Sequence, residues 1–582
     1  MIKRLFAAVA VLLAAMALPA IDLNGVWAFD FREGKTLEEV SRGDFRAQAA
    51  MNVPGCWDVQ PEWYLKRGTG CYRRTFTVER PLREALLVVE GMGVRAKFSL
   101  DGKDLGVHPY PYARLEIPLG EPAVGEHELY AAIDNIMEWP RVKLARPYYD
   151  FYLYGGFYHG VKIVEKEPRV LVRTLDWRTR TLEIELDGAD RAELELDDAA
   201  LAADWRNGKT RVQAPGAALW SPEAPNLHTL KARVSAAGGV RTLTPVSFGI
   251  RQIEARDGKI LLNGKAVFLK GVNRHESSPL EGSATSAATM LRDLQNLKAL
   301  GGNFIRAAHY QQCSEFLALC DRLGVLVWEE SLGWGNGQRY VNGNFPPSEL
   351  SDPEFCAMQI RQTREMVRAS FNHPSVIVYA FLNECNSTTR EGKALVDRLI
   401  ETIRAERPGR LVSFACNLCR DDIAHANTDL VAFNAYPGTI PAAPGTPDDL
   451  RQKVEEEFNG IVAHFRKLYP EKPIIISESG CGGAYGWRDA NKSINTEDFQ
   501  DEYLEDILRT LWRNPDVSGF ALWQMNDGRT RERYCQLNCS TMFGGSVAGI
   551  FDVYRRPKKS VATVRRYFET KAAGENLRGQ TP

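Results

Sequence analysis

Hydrophobic and polar positions change rhythm along this chain. From residue 22 to about 165, short alternating segments such as Leu86-Leu87-Val88-Val89-Glu90 and Lys97-Phe98-Ser99-Leu100 are separated by turn dipeptides such as Asp101-Gly102. Alternation with glycine and proline punctuation predicts a β-sandwich. A second alternating region follows, with Leu182-Glu183-Ile184-Glu185-Leu186 and Leu230-Lys231-Ala232-Arg233-Val234. It predicts a smaller, immunoglobulin-like sandwich. From Gly258 the alternation gives way to continuous apolar runs separated by helical periodicity. Eight runs can be counted: 267–273, 304–309, 325–330, 376–384, 411–416, 430–436, 474–478 and 519–526. Between them, 287–300, 448–468 and 497–514 repeat apolar residues at three- and four-residue spacing, whereas 420–427 holds only a poorly defined helix. Buried strands alternating with amphipathic helices predict a closed (β/α)₈ barrel.

Two of the barrel runs end in a glutamate. Val376-Ile377-Val378-Tyr379-Ala380-Phe381-Leu382-Asn383-Glu384 is one, and Ile474-Ile475-Ile476-Ser477-Glu478 is the other. Taken singly, each reads as well as a solvent-facing residue at a strand end. Together, at the end of a barrel where catalysis is built, they point to a two-carboxylate reaction, with glycoside hydrolysis foremost. The other strand ends supply His275, Arg306, His309, Glu330, Asn383, Asn434, Tyr436, Trp523 and Asp527. Carboxylates, amides, Arg and His suit sugar hydroxyls, and an indole suits the apolar sugar face; some of these side chains are expected to point elsewhere. In the first sandwich, Asp150-Phe151-Tyr152-Leu153-Tyr154-Gly155-Gly156-Phe157 combines an acid, aromatics and two glycines. It reads equally as a loop approaching a ligand and as an aromatic turn between domains.

Length and charge narrow the picture. The 582 residues exceed one domain. A net charge of −1 without long single-sign blocks argues against nucleic acid and against a basic membrane patch. Lys3 and Arg4 precede a short apolar stretch that ends at Pro19-Ala20, the pattern of an export signal over 1–20. A periplasmic or secreted protein is therefore expected, without a lipid anchor or a membrane span. The resulting division is 1–20 signal, 21–165 first sandwich, 166–252 second sandwich, 253–575 barrel and 576–582 disordered tail. Among eleven cysteines, Cys416-x2-Cys419 and Cys535-x3-Cys539 could pair or form half of a zinc site. No histidine at the usual finger spacing and no second CxxC accompanies them, so zinc is not expected, and most of the thiols read as buried and free.

Several motifs resemble glycoside hydrolase family 2, the β-galactosidase and β-glucuronidase family. They include Val53-Pro54-Gly55-Cys56-Trp57, Tyr154-Gly155-Gly156-Phe157, Leu219-Trp220-Ser221-Pro222-Glu223, Lys270-Gly271-Val272-Asn273-Arg274-His275-Glu276, Ile305-Arg306-Ala307-Ala308-His309-Tyr310 and Leu382-Asn383-Glu384. The resemblance spans nearly the whole mature chain. It implies a jelly-roll sugar-binding sandwich, an immunoglobulin-like sandwich and a catalytic barrel. It also implies retention of configuration, with Glu384 as acid/base and Glu478 as nucleophile. Asn383 would meet the sugar 2-hydroxyl and Tyr436 would support the nucleophile. Arg306, His309, His275 and Trp523 would line the sugar pocket, reached by Asp150 from the first domain. No cofactor is required, although larger β-galactosidases of the family use magnesium; the expected partner is a glycan's non-reducing end, and an oligomer is common in the family.

One departure bears on the substrate. The segment Gly549-Ile550-Phe551-Asp552 resembles the β-glucuronidase branch, which carries Asn-x-Lys just before it to meet a uronate carboxylate. Here Gly545-Ser546-Val547-Ala548 has neither residue. A buried unpaired carboxylate is costly, so a neutral sugar such as a β-galactoside is the leading expectation. Glucuronides, galacturonides and furanosides remain open, with Arg529, Arg531 and Arg533 as substitute cations. A catalytically silent carbohydrate-binding protein and a secreted adhesion protein are the alternatives from other classes.

Overall fold

The computed structural model describes residues 20–570 apart from 139–140, 147–148, 237–238, 339–347, 439–446, 531–540 and 543. Arg531, Arg533, Cys535, Cys539, the expected export segment before Ala20 and the tail lie outside the described residues.

The first sandwich packs two antiparallel sheets. One has six strands in the order Ala49–Val53, Gly25–Glu33, Gly68–Val78, Gly125–Asp134, Arg95–Leu100, Lys103–His108. The other has four: Ile21–Asp22, Val161–Glu165, Ala85–Val89, Leu115–Gly120. Inward-facing Trp27, Phe29, Trp57, Tyr72 and Phe157 fill the space between them. This core also aims a loop at the barrel. A Cβ on Gly155 would stand 1.9 Å from the Trp57 ring, so only glycine lets the chain pass there. Gly156, at φ +133°, pairs with Cys56, and the buried Asp58 accepts a 3.0 Å hydrogen bond from the Gly155 amide. The segment carrying Asp150 and Phe151 is thereby anchored at its far end.

The second sandwich pairs Arg169–Asp176, Thr181–Asp187 and Lys209–Gln213 with a five-stranded sheet around His228–Ala236. Its own core includes Leu182, Ile184, Leu230 and Phe248. It is joined to the barrel through Trp220, fully buried, whose indole N–H donates to the Asp321 carbonyl at 2.9 Å.

The barrel strands are Leu269–Asn273, Phe304–Ala307, Leu326–Trp334, Val376–Asn383, Leu411–Cys416 in two short pieces, Val431–Asn434, Ile474–Ser479 and Val517–Leu522. All neighbours are parallel. The fifth strand closes the ring: Leu411–Val412 pairs with the fourth strand and Ala415–Cys416 with the sixth. Ile377, Ala380, Phe304, Leu326, Trp328, Ala432 and Ile475 fill the interior, so the barrel is a packed core rather than a pore. After the fifth strand, where the periodicity is weakest, the chain makes only a single 3₁₀ turn at His425–Asn427 before the sixth strand.

Candidate active site

The fourth strand leaves the sheet under strain. Leu382 (φ 48°) and Glu384 (φ 51°) both occupy the left-handed region that non-glycine residues avoid. The Glu384 amide then bonds the Ala415 carbonyl at 2.8 Å, so the fifth strand fixes the turn that presents Asn383 and Glu384.

Arg306, wholly buried at the end of the second strand, ties four strands together. It donates to Glu478 at 2.5 Å, to Asn383 at 2.8 Å, to Asn273 at 3.1 Å and to both oxygens of Glu330. Tyr436 donates to the other Glu478 oxygen at 2.7 Å. Asn434, oriented by the Ser477 hydroxyl, donates to Glu384 at 2.9 Å and to Asn383 at 3.0 Å. The Asn383 amide oxygen therefore accepts from two residues, while its buried Nδ2 has no partner among the described residues.

Charge is unevenly shared here. Burial, then the charge of Glu478, pushes the Glu384 carboxyl up to about 8. Asp150 is pushed up to about 7 by burial and by Glu478. Burial and the Arg306 guanidinium hold His309 down to about 3, so its ring is neutral. Its Nδ1 lies 3.1 Å from Glu330 and its Nε2 3.7 Å from Glu478. His275 is likewise held well below its ordinary value, by burial and then His309. Two carboxyl groups in contrasting surroundings, one protonated at neutral pH and one gripped by an arginine and a tyrosine, can divide acid and nucleophilic roles.

A cavity adjoins this network, lined by Asp150, Phe151, His275, Trp523, Gln524 and Arg529 among others. The Trp523 indole stacks on His309 with ring centres 5.5 Å apart. Asp150 Oδ1 and His275 Nε2 are buried there without partners among the described residues.

The structure thus brings together Glu384, Glu478, Asn383, Asn434, Tyr436, Arg306, His309, His275, Trp523 and Asp150. Two other sequence candidates lie behind them. Glu330 is saturated by Arg306, His309 and the Trp328 indole (2.9 Å), so it positions the residues that face the cavity. Asp527 accepts from the Lys558 ammonium at 2.7 Å and the Gly549 amide at 2.9 Å, a pairing that holds the last loop of the barrel. Phe151, Gln524 and Thr530 line the cavity but carried no separate sequence signal. Arg529 was visible only as one of three loop arginines. Cys416 and Cys419 are buried free thiols, so no disulfide joins that pair.

Comparison with known proteins agrees with this geometry. The model "Glycosyl hydrolases family 2, TIM barrel domain" matches residues 253–572, and "Glycosyl hydrolases family 2" matches 169–251. A β-glucuronidase of Streptococcus agalactiae is 23% identical over 594 residues, covering 94% of this chain and 96% of its own. A β-glucuronidase of Rattus norvegicus is 26% identical, covering 74% of this chain and 67% of its own. A family 2 β-galacturonidase of Eisenbergiella tayi, solved with galacturonate, is 27% identical, with TM-score 0.81 and coverage of 94% and 97%. With the barrel model matching more than half of the sequence, the chain belongs to glycosyl hydrolase family 2 and is a glycosidase.

Proposed function

We propose that this protein is a retaining exo-β-uronidase, which removes a terminal β-glucuronic or β-galacturonic acid residue from a glycan or glycoside. Glu384 acts as acid/base, giving its proton to the leaving oxygen. Glu478 attacks the anomeric carbon to form a glycosyl-enzyme, and Glu384 then activates the water that releases the sugar. The elevated proton affinity of Glu384 and the grip of Arg306 and Tyr436 on Glu478 support this division. The unpaired Nδ2 of Asn383 suits an acceptor such as the sugar 2-hydroxyl. Export to the periplasm or beyond remains part of the reading on the strength of the first twenty residues.

The observation that carries the uronide reading is Arg529. Its side chain lines the cavity, 4.5 Å from the Tyr64 ring and 5.3 Å from that of Tyr152. One guanidinium nitrogen donates to the Tyr64 hydroxyl, while Nη1 is buried without a partner, and no described carboxylate pairs with it. Among the described residues this half-buried cation has no carboxylate partner, and a sugar carboxylate would supply one. The relatives named for uronide hydrolysis point the same way. The absence of Asn-x-Lys, which favours a neutral sugar on sequence alone, is answered by an arginine from the neighbouring loop.

The test is a panel of aryl β-glucuronide, β-galacturonide and β-galactoside assayed on wild type and Arg529→Gln. We expect the wild type to turn over a uronide fastest. In Arg529→Gln, kcat/KM for the uronide should fall by about 10²–10³-fold while any rate on the neutral glycoside is spared. A wild type that prefers the galactoside, or a variant that loses both equally, would overturn the uronide assignment. The same panel separates glucuronide from galacturonide.

A further inference from the structure

The loop that replaces the fifth barrel helix gathers four metal-binding side chains at regular spacing. Cys416, Cys419, Asp422 and His425 form the series C-x2-C-x2-D-x2-H, and all four are buried. One ligand atom each from Cys416, Asp422 and His425 lies within 4.8 Å of the other two. Cys419 stands outside that three-residue group, but its thiol neighbours that of Cys416 and is the nearest candidate for a fourth ligand. The sequence argued against zinc because it showed no finger-type histidine spacing. In three dimensions the loop supplies a carboxylate and an imidazole instead.

We propose that these four side chains form a structural zinc site. Two sulfurs, one imidazole nitrogen and one carboxylate oxygen are a donor set that zinc accepts in tetrahedral geometry, with no position left for substrate. The surroundings suit each ligand. His425 Nδ1 faces Asp422 Oδ1 at 2.7 Å, while its Nε2 lies 3.3 Å from the Phe414 carbonyl. Nε2 also faces the Ala432 amide at 3.4 Å; with Nδ1 on the metal, Nε2–H would instead donate to the Phe414 carbonyl, the arrangement that fixes a ligating histidine. The Phe414 ring stacks on the imidazole at 4.4 Å and holds its plane. Asp422 Oδ1 also accepts from the amides of Ala424 and His425, but Oδ2 is buried without a hydrogen-bond donor. The Ser387 hydroxyl approaches this carboxylate without reaching hydrogen-bond geometry. Binding is a simple exchange: Zn²⁺ enters and the two thiols release two protons to solvent, with no change of oxidation state.

The location gives the site a purpose. The segment between the fifth and sixth strands lacks the helix that would pack it to the barrel. It lies against the chain that follows Glu384, because the Ile423 amide bonds the Ser387 carbonyl at 3.2 Å. Cys419 Sγ also approaches the backbone carbonyl of Asn434, the residue whose side chain holds Glu384. A metal here clamps the loop behind the acid/base without touching substrate.

The experiment uses the full mature chain, purified without chelator and dialysed against zinc, then cleared of excess metal and measured by inductively coupled plasma mass spectrometry. We expect about one zinc per chain. Replacement by Co²⁺ should give a thiolate-to-cobalt charge-transfer band and the intense visible bands of a tetrahedral ion, a readout that requires no variant to fold. Cys419→Ser and Asp422→Asn should lower the retained metal at least tenfold and weaken the charge-transfer band in the cysteine variant. Wild type that retains no zinc, cobalt spectra without sulfur bands, or a Cys416–Cys419 disulfide in the native protein would each overturn the proposal. Loss of glycosidase activity plays no part in the decision, so failure here is separable from failure of the uronide reading.

Discussion

Two buried arginine networks sit side by side at the mouth of the barrel and have opposite character. In one, Asp293 lies between Arg274 (2.9 Å) and Arg555 (3.0 Å), with Asn526 donating at 3.0 Å. Two cations share one carboxylate, and although burial opposes ionisation, their pull holds Asp293 below its ordinary range. In the other, Arg306 stands among Glu330, Glu478, Glu384 and Asp150, and both flanking histidines are neutral. There Glu384 and Asp150 are pushed upward. Each network includes an arginine at a strand end, Arg274 in one and Arg306 in the other, and both read as polar in sequence. Excess cation makes a carboxylate that stays ionised and holds helix, loop and strand together. Excess carboxylate makes groups that keep or exchange protons beside a cavity. The sign of the local imbalance, rather than the presence of polar residues, separates the cluster proposed for catalysis from its neighbour.

The strongest way to break this comparison is to neutralise one carboxylate from each network. Glu478→Gln should lower kcat by about 10⁴-fold or more with little change in thermal stability. Asp293→Asn strands two buried guanidinium groups and should destabilise the fold by about 3–5 kcal/mol, with most activity retained per folded molecule. Comparable losses of activity in both, measured on denaturant-verified folded protein, would dissolve the distinction. Azide sharpens the roles within the reactive network. Added to Glu384→Ala it should restore turnover and give a glycosyl azide of retained configuration, and added to Glu478→Ala it should give the inverted product. NMR of the products showing the reverse would exchange the two assignments.

The pH dependence separates the networks more gently. Glu384 must carry its proton, so kcat/KM for substrates with poor leaving groups should fall as pH rises through about 8. Substrates whose leaving groups need no proton should show a much weaker alkaline limb.

Stability should respond with opposite signs. Asp150 has a folded pKa of about 7, above its ordinary 3.8. Its burial penalty is therefore absent at low pH, grows as pH rises from about 4, and is complete above 7. Asp150→Asn should match wild type near pH 4 and exceed it by a few kcal/mol at pH 8, up to about 4 for a rise from 3.8 to about 7. Asp293 is lowered, so its contribution is present at neutral pH and lost as pH falls through its folded value. Melting curves across pH in which Asp150→Asn and wild type stay parallel would remove this part of the contrast.

The β-branched runs placed the barrel strands, because a strand buried on both faces has little choice of residue. They also placed Glu384 and Glu478, since a carboxylate closing such a run can only sit at its rim. The sandwiches were legible for the related reason that alternation records which face is wet. The fifth helix was weak in sequence and is absent in the fold, because 417–424 offers no apolar stripe to bury.

What the sequence could not decide was direction. Asp527 and Glu330 stand at strand ends like the others, yet one turns to Lys558 and the other lies behind Arg306. Arg529 is one arginine in a loop until Tyr64 and Tyr152, hundreds of residues earlier, flank it, with one nitrogen unpaired among the described residues. The substrate reading turned on that placement. Sequence by itself fixed which elements exist and where their ends fall, because burial constrains residue type along each element. The tertiary structure alone decided which side chains share a field and which keep an open hydrogen-bonding atom, because those depend on segments that meet only when the domains pack.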